Sequence, residues 1–301
     1  FSKNFYFFIF FILLQSSIAA GFLMSRVIIR DITSENEAAS MIGYVTMGMS
    51  IIPLFAPGLG GLIQMLLGWP SIFLIMSLLG LLLLLLVFRD LGETKIVKKN
   101  KNTKSSASFI NLFWEAKFWG YSFTLAFSAG TFFSFLGGAP YVATKVYNLN
   151  SVVSGLVMGF PAAGYFIGNY LSGRYSKFYG IDYMALRGIL LVIFGMFICL
   201  VITVFYRDTP YFFFGLCSFV GLGNGLIIPN ASVGILSVNE NLSGTAGGIG
   251  NAIMIGTGAI LASLTSYYLE NQTSSSYLVF IMLLSGALSY TSLYIFVLRN
   301  K

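Results

Sequence analysis

Residues 69–88 read WPSIFLIMSLLGLLLLLLVF, twenty positions without one charged side chain. A helix rises about 1.5 Å per residue, so a run of this length crosses the roughly 30 Å hydrocarbon core of a bilayer. Backbone N–H and C=O groups in lipid must bond within their own segment, so the run predicts a membrane-spanning helix. Eight more apolar runs lie around it, at about 5–28, 41–67, 118–141, 152–171, 184–205, 211–231, 244–268 and 276–298. Nine spans predict an all-α integral membrane bundle.

Composition excludes other classes. The 301 residues are 57% hydrophobic and 9% charged, with mean hydropathy +0.85. A soluble domain carries about 25% charged residues, and this chain lacks the polar side chains to cover a water-facing surface. It contains no histidine, which excludes HExxH zinc chemistry and His-dependent triads. Cys199 and Cys217 each sit within an apolar run and cannot form a CxxC site, so both read as small buried hydrophobes. No metal, nucleotide or redox cofactor is indicated, and GxxxxGK[ST] is absent. The net charge of +7 points to membrane topology rather than to nucleic acid.

Alternating sides at each span, with the basic loop around Lys95 inside, puts 14 of the 17 Lys and Arg on the cytoplasmic side. Lys3, Lys145 and Arg207 fall outside. That bias follows the positive-inside rule and predicts an inside C-terminus and an outside N-terminus. One connector stands out, Arg89 to Lys117, with KIVKKNKNTKSSAS at 95–108; its composition predicts a flexible linker between two bundles. The chain opens on Phe1 without a signal-peptide layout, and further sequence is expected upstream.

The ten acids all fall at span ends or in loops. A mid-membrane ionisable group marks an ion path, and none is expected. What the spans do carry is small residues at helical spacing. Gly244, Gly248, Ala252 and Gly256 form one stripe, and Ser122, Ala126, Gly130, Ser134 and Gly138 another. Gly155/Gly159, Gly164/Gly168 and Gly221/Gly225 are GxxxG pairs. Such faces let helices approach closely; they serve static packing, or sliding of one helix on another. Pro53-Leu-Phe-Ala56-Pro57-Gly58-Leu-Gly60-Gly61 concentrates helix breakers and predicts a kinked, closely packed helix. Phe123 and Phe127 share a face, facing lipid or lining a cavity for lipophilic or cationic molecules. Gln15, Asn169, Asn224 and Asn251 are mid-span amides. Each bonds a neighbouring helix or lines a wet cavity.

These motifs resemble the major facilitator superfamily, and within it the bicyclomycin-resistance (Bcr/CflA) branch of drug exporters. LLQSSIAAGFLMSRVIIRD, with Gln15, Arg26, Arg30 and Asp31, resembles the family's fourth helix. PLFAPGLGG resembles the antiporter motif of the fifth, with Pro57, Gly60 and Gly61 in its defining places and Ala56 where the family has glycine. GWPSIF resembles GWRxIF, with Pro70 in place of Arg. LGET at 91–94 resembles the step after the sixth helix, with Gly92 in place of Pro. LSGRYSKFYG, with Arg174 and Lys177, resembles the basic turn between helices eight and nine. GYSFTLAFSAGTFFSFLGGAPYV resembles the seventh helix, and GLIIPNASVGIL with NENLSGTAGGIGNA the tenth-to-eleventh connection.

The resemblance implies helices four to twelve of a twelve-helix protein. Residues 1–88 would be the remainder of the N-terminal six-helix bundle, 89–117 a cytoplasmic basic linker and 118–301 the C-terminal bundle. It also implies an inner-membrane exporter of small lipophilic drugs, exchanged for protons, and not an enzyme. Pro53–Gly61 would seal the bundle interface. Arg26, Arg30, Asp31, Arg174 and Lys177 would be cytoplasmic gate residues. The substrate cavity would draw on Gln15, Phe123, Phe127, Asn169, Asn224 and Asn251. Ile12 stands where the family has an arginine tied to proton coupling. A metabolite transporter of the same fold, or a truncated non-transporting membrane protein, are the other readings.

Overall fold

A computed structural model describes residues 5–15, 18–68, 70–90, 105–206, 209–239, 242–270 and 274–299. The described residues are helical, without strands, in the order α1 (Phe5–Gln15), α2 (Ile18–Ile32), α3 (Glu35–Leu67), α4 (Pro70–Asp90), α5 (Ser105–Trp114), α6 (Ala116–Tyr141), α7 (Ser151–Val157), α8 (Phe160–Tyr179), α9 (Ile181–Phe205), α10 (Pro210–Ser237), α11 (Ser243–Leu269) and α12 (Ser276–Leu293). Single π-helical turns follow α6 and α12. Six of the helices, α4, α6 and α9 to α12, are each long and apolar enough to cross a membrane. The all-α membrane bundle expected from the sequence is the architecture found.

Several helices run past their apolar runs, α2 to Ile32, α8 to Tyr179 and α10 to Ser237, and other differences are informative. The run 152–171 is interrupted at Met158–Gly159, where α7 ends and α8 begins with Pro161 in its first turn. Proline lacks an N–H, which suits a helix start and ends the helix before it. The helix α3 begins at Glu35, six residues ahead of its apolar run. Glu35 and Glu37 occupy its positive N-terminal turn, and the Ser34 hydroxyl donates to Glu37 at 2.9 Å, the spacing of a capping box. The connector read as flexible contains α5, so its last part, from Ser105, is helical; residues 91–104, with Lys95 and Lys98, lie outside the described residues.

The core gathers around α10, which packs on α8, α9 and α6, while α6 packs on α11 and α12, and α3 lies along α8. Glycine sets the α8–α10 distance. A Cβ on Gly221 would stand 1.8 Å from the Pro161 carbonyl oxygen, and one on Gly168 2.1 Å from the Leu222 carbonyl oxygen. The pairs Gly164/Gly168 and Gly221/Gly225 therefore interlock, backbone against backbone. The α6 stripe of Ser122, Ala126, Gly130, Ser134 and Gly138 is wholly buried. The α11 stripe is a correction: a Cβ on Gly244 or Gly256 would meet nothing within 4 Å, whereas Gly247, Gly250 and Gly258 abut Leu23, Ile235 and Phe133. The close contacts lie one or two positions away from the stripe that spacing suggested. Cys199 and Cys217 are both buried within the helix packing, as small hydrophobes are. No residue of α4 is buried, as for a helix apolar on every side and meeting lipid.

Candidate functional site: a cavity between six helices

At half height of α6 and α10 the helices part around a cavity of about 450 Å³, within the range of small-molecule sites. Arg26 of α2 and Thr46, Met49 and Ser50 of α3 form one side. Ala129, Phe132 and Phe133 of α6, Tyr165 of α8, Asn224 and Ile228 of α10 and Met254 of α11 form the other. The wall is mainly apolar, with polar atoms at a few places.

The amides divide by what they bond. Asn224 lies on the wall, held from α6: the Ser128 hydroxyl donates to its Oδ1, and its Nδ2 donates to Thr131 Oγ1 at 3.3 Å. Asn169 instead serves the α3–α8 contact. Its Oδ1 accepts from Thr46 Oγ1 at 2.5 Å and its Nδ2 donates to the Tyr165 carbonyl at 2.9 Å; it is fully buried and off the wall. Asn251 borders a narrow gap shared with Arg26 and Ser232, beside the cavity. Gln15 is exposed at the end of α1.

Phe123 and Phe127 do not reach the cavity. They continue a stack that starts at Trp119, with centroids 5.3 and 6.1 Å apart, and both stay half-buried. Phe132 and Phe133, five or more positions further along α6, supply the aromatic wall. A helix advances 100° per residue, so a face chosen by spacing alone has no absolute direction. Pro53–Gly61 runs inside α3 as helix; its side chains lie outside the described residues.

The proposed gate residues separate into two groups. Arg30, Asp31, Arg174 and Lys177 gather at one end of the bundle. Arg30 Nε donates to Ser237 Oγ at 3.0 Å. Lys177 pairs with Glu37 at 3.3 Å, joining α8 to α3. The Ser34 hydroxyl, then the Lys177 ammonium, hold the Glu37 carboxyl below the usual carboxylate range. Arg174 Nη1 donates to the Tyr170 hydroxyl at 3.0 Å, which holds its guanidinium above the usual range. Near the same end Tyr121 donates to Asp182 at 2.6 Å, between α6 and α9.

Arg26 departs from this group, half-buried on the cavity wall with Nη1 donating to Ser232 Oγ at 3.0 Å. The sequence reading set Arg26 with the gate residues; it instead lines the cavity. Its place one turn before Arg30 on the same helix face was the signal available in the sequence. Among the described residues no Asp or Glu lines the cavity, and no three potential metal ligands cluster.

Known proteins extend this picture. The chain is 27% identical to an uncharacterized MFS-type transporter, YdgK, of Bacillus subtilis, over 52% of this chain and 40% of that protein. It is 28% identical to a bicyclomycin resistance protein homolog of Haemophilus influenzae, over 82% of this chain and 63% of that protein. It is 26% identical to multidrug resistance protein D of Escherichia coli, over 89% and 67%. The chain thus spans 40% and 63% of the first two. These similarities fall on the branch that the sequence motifs resemble. Residues 1–263, which run from before α1 into α11, match the model of the Major Facilitator Superfamily, and the chain belongs to that family of transporters.

Proposed function

We propose that the protein exports small lipophilic molecules across the inner membrane, through the cavity between α2–α3 and α6, α8, α10 and α11. The observation that carries this reading is the cavity itself: a drug-sized, largely apolar space at mid-height, bordered by helices from both ends of the sequence. Relatives named for bicyclomycin and multidrug resistance support the substrate class. In this reading α1–α4 belong to one bundle and residues 118–301 form the other, with 89–117 linking them. Rocking of the two bundles opens the cavity alternately to each side.

The α3–α8 seam suits such motion. A Cβ on Gly43 would stand 2.5 Å from the Gly173 nitrogen, so two smooth helix faces meet there, joined by few side-chain bonds. Proton exchange as the driving force rests on family resemblance. The Arg30, Arg174 and Lys177 end faces the cytoplasm, together with the C-terminus.

The test is uptake of a lipophilic fluorescent dye into inverted membrane vesicles carrying the chain, under an imposed pH gradient. Ala129→Trp places an indole in the cavity and is expected to abolish uptake while membrane insertion persists. Uptake undiminished in that variant would overturn the cavity as the route. Uptake unaffected by an uncoupler would overturn proton exchange alone.

A further inference from the structure

Among the described residues the cavity wall carries one charge, and it is positive: Arg26 is the only cation that lines it, no carboxylate does, and Arg26 makes no ion pair there. A guanidinium carries five N–H donors in a planar fork. Among the described residues one of them is engaged, by the Ser232 hydroxyl. Tyr165 stands close enough to interact electrostatically with it, and Asn251 faces the adjoining gap. The rest of the wall is hydrocarbon, led by Phe132, Phe133, Met49 and Met254.

Coulomb interactions strengthen as the local dielectric falls. An apolar cavity with a lone guanidinium therefore repels a cationic ligand, and attracts an anion whose planar acceptors match the fork. This reverses the charge that the aromatic content alone suggested. Resting on the cavity as the substrate site, we infer that it selects organic anions: amphiphiles whose carboxylate sits on Arg26 and whose aromatic or aliphatic body packs against Phe132 and Phe133. A guanidinium reaching only for the polar end of the bundle would give no such selectivity, and binding separates the two.

The experiment measures equilibrium binding to the full chain in lipid nanodiscs at pH 7.5. Three radiolabelled probes share one skeleton: naphthylacetic acid, its neutral amide and the corresponding amine. The acid is expected to bind about tenfold more tightly than the amide, about 1.4 kcal/mol, and the amine most weakly. Arg26→Gln should erase the preference. Arg26→Lys, which keeps the charge without the fork, should retain part of it and guards against a folding defect in the first variant. Ala129→Trp should remove binding of all three probes. Equal affinity of acid and amide, both lost in Ala129→Trp, overturns the anion inference and leaves the cavity standing. A preference that survives Arg26→Gln also overturns it. Saturable binding unchanged by Ala129→Trp, or no saturable binding of any probe, overturns the cavity as the substrate site.

Discussion

At the scale of single residues, hydrogen bonds between helices are where side-chain chemistry enters the fold. Tyr121 is 6% exposed and its hydroxyl donates to Asp182 at 2.6 Å. Tyr121→Phe removes that donor and keeps the ring, so the expected loss is about 1 kcal/mol or more, read as a lower Tm in detergent. Tyr183→Phe, on an exposed ring of α9, should leave Tm unchanged. The Glu37–Lys177 pair behaves differently because it is solvated. The folded carboxyl is held below its unfolded range, so its contribution is present above the unfolded pKa and is lost as pH falls through the folded one. Wild type and Glu37→Gln should therefore differ slightly in Tm at pH 7 in low salt, and converge in 1 M salt or below the folded pKa. A difference that persisted in high salt would mean that Glu37 acts through packing. Tyr121, Asp182 and Glu37 could not be paired from sequence, because their separations of 61 and 140 positions carry no periodicity. Arg26 was visible as a residue, and its inward aim was not.

At the scale of helices, the crossing of α8 and α10 is fixed by backbone contact. Ala is the better helix former by about 1 kcal/mol, so Gly→Ala separates propensity from packing. Gly221→Ala would drive a Cβ to 1.8 Å from the Pro161 carbonyl, which neither helix can yield without moving apart. It is expected to cost about 1–3 kcal/mol or more, seen as a lower Tm and reduced yield of folded protein. Gly155→Ala meets nothing within 4 Å and should be neutral or stabilising. Equal tolerance of both changes would dissociate the GxxxG pairs from the packing. Gly164/Gly168 and Gly221/Gly225 were legible, since spacing and composition state that small residues share a face; Gly155/Gly159 was not a packed pair, because Gly159 lies in the break between α7 and α8 and a Cβ on Gly155 would meet no neighbour. Which neighbour the face meets was not, because that depends on every other helix. The α11 stripe at Gly244 and the Phe123–Phe127 face failed for this reason, while six of the nine apolar runs are single membrane-length helices among the described residues, because length and hydropathy are properties of one segment.

At the scale of the whole molecule, the distribution of charge predicts an orientation for the bundle. The π-helical turn after α12 meets Gly120 near the start of α6, and α8 ends where α3 begins. Lys117, Lys177 and Arg30 therefore share an end with Arg299. At the opposite end Tyr147, just after α6, approaches Ser275 ahead of α12 and Phe213 at the start of α10. There Lys145 is the only Lys or Arg among the described residues. The 26 residues of α6 separate these ends by about 39 Å, more than the roughly 30 Å hydrocarbon core, so the two sets meet water on different sides. Membrane insertion leaves Lys- and Arg-rich segments inside. A membrane-impermeant maleimide added to intact cells should thus label Lys145→Cys and not Lys177→Cys, and permeabilised cells should label both. Native Cys199 and Cys217 are 1% and 0% exposed, so background labelling should be low. Labelling of position 177 alone in intact cells would invert the protein. Labelling of both positions would contradict a bundle whose two ends are divided by the membrane.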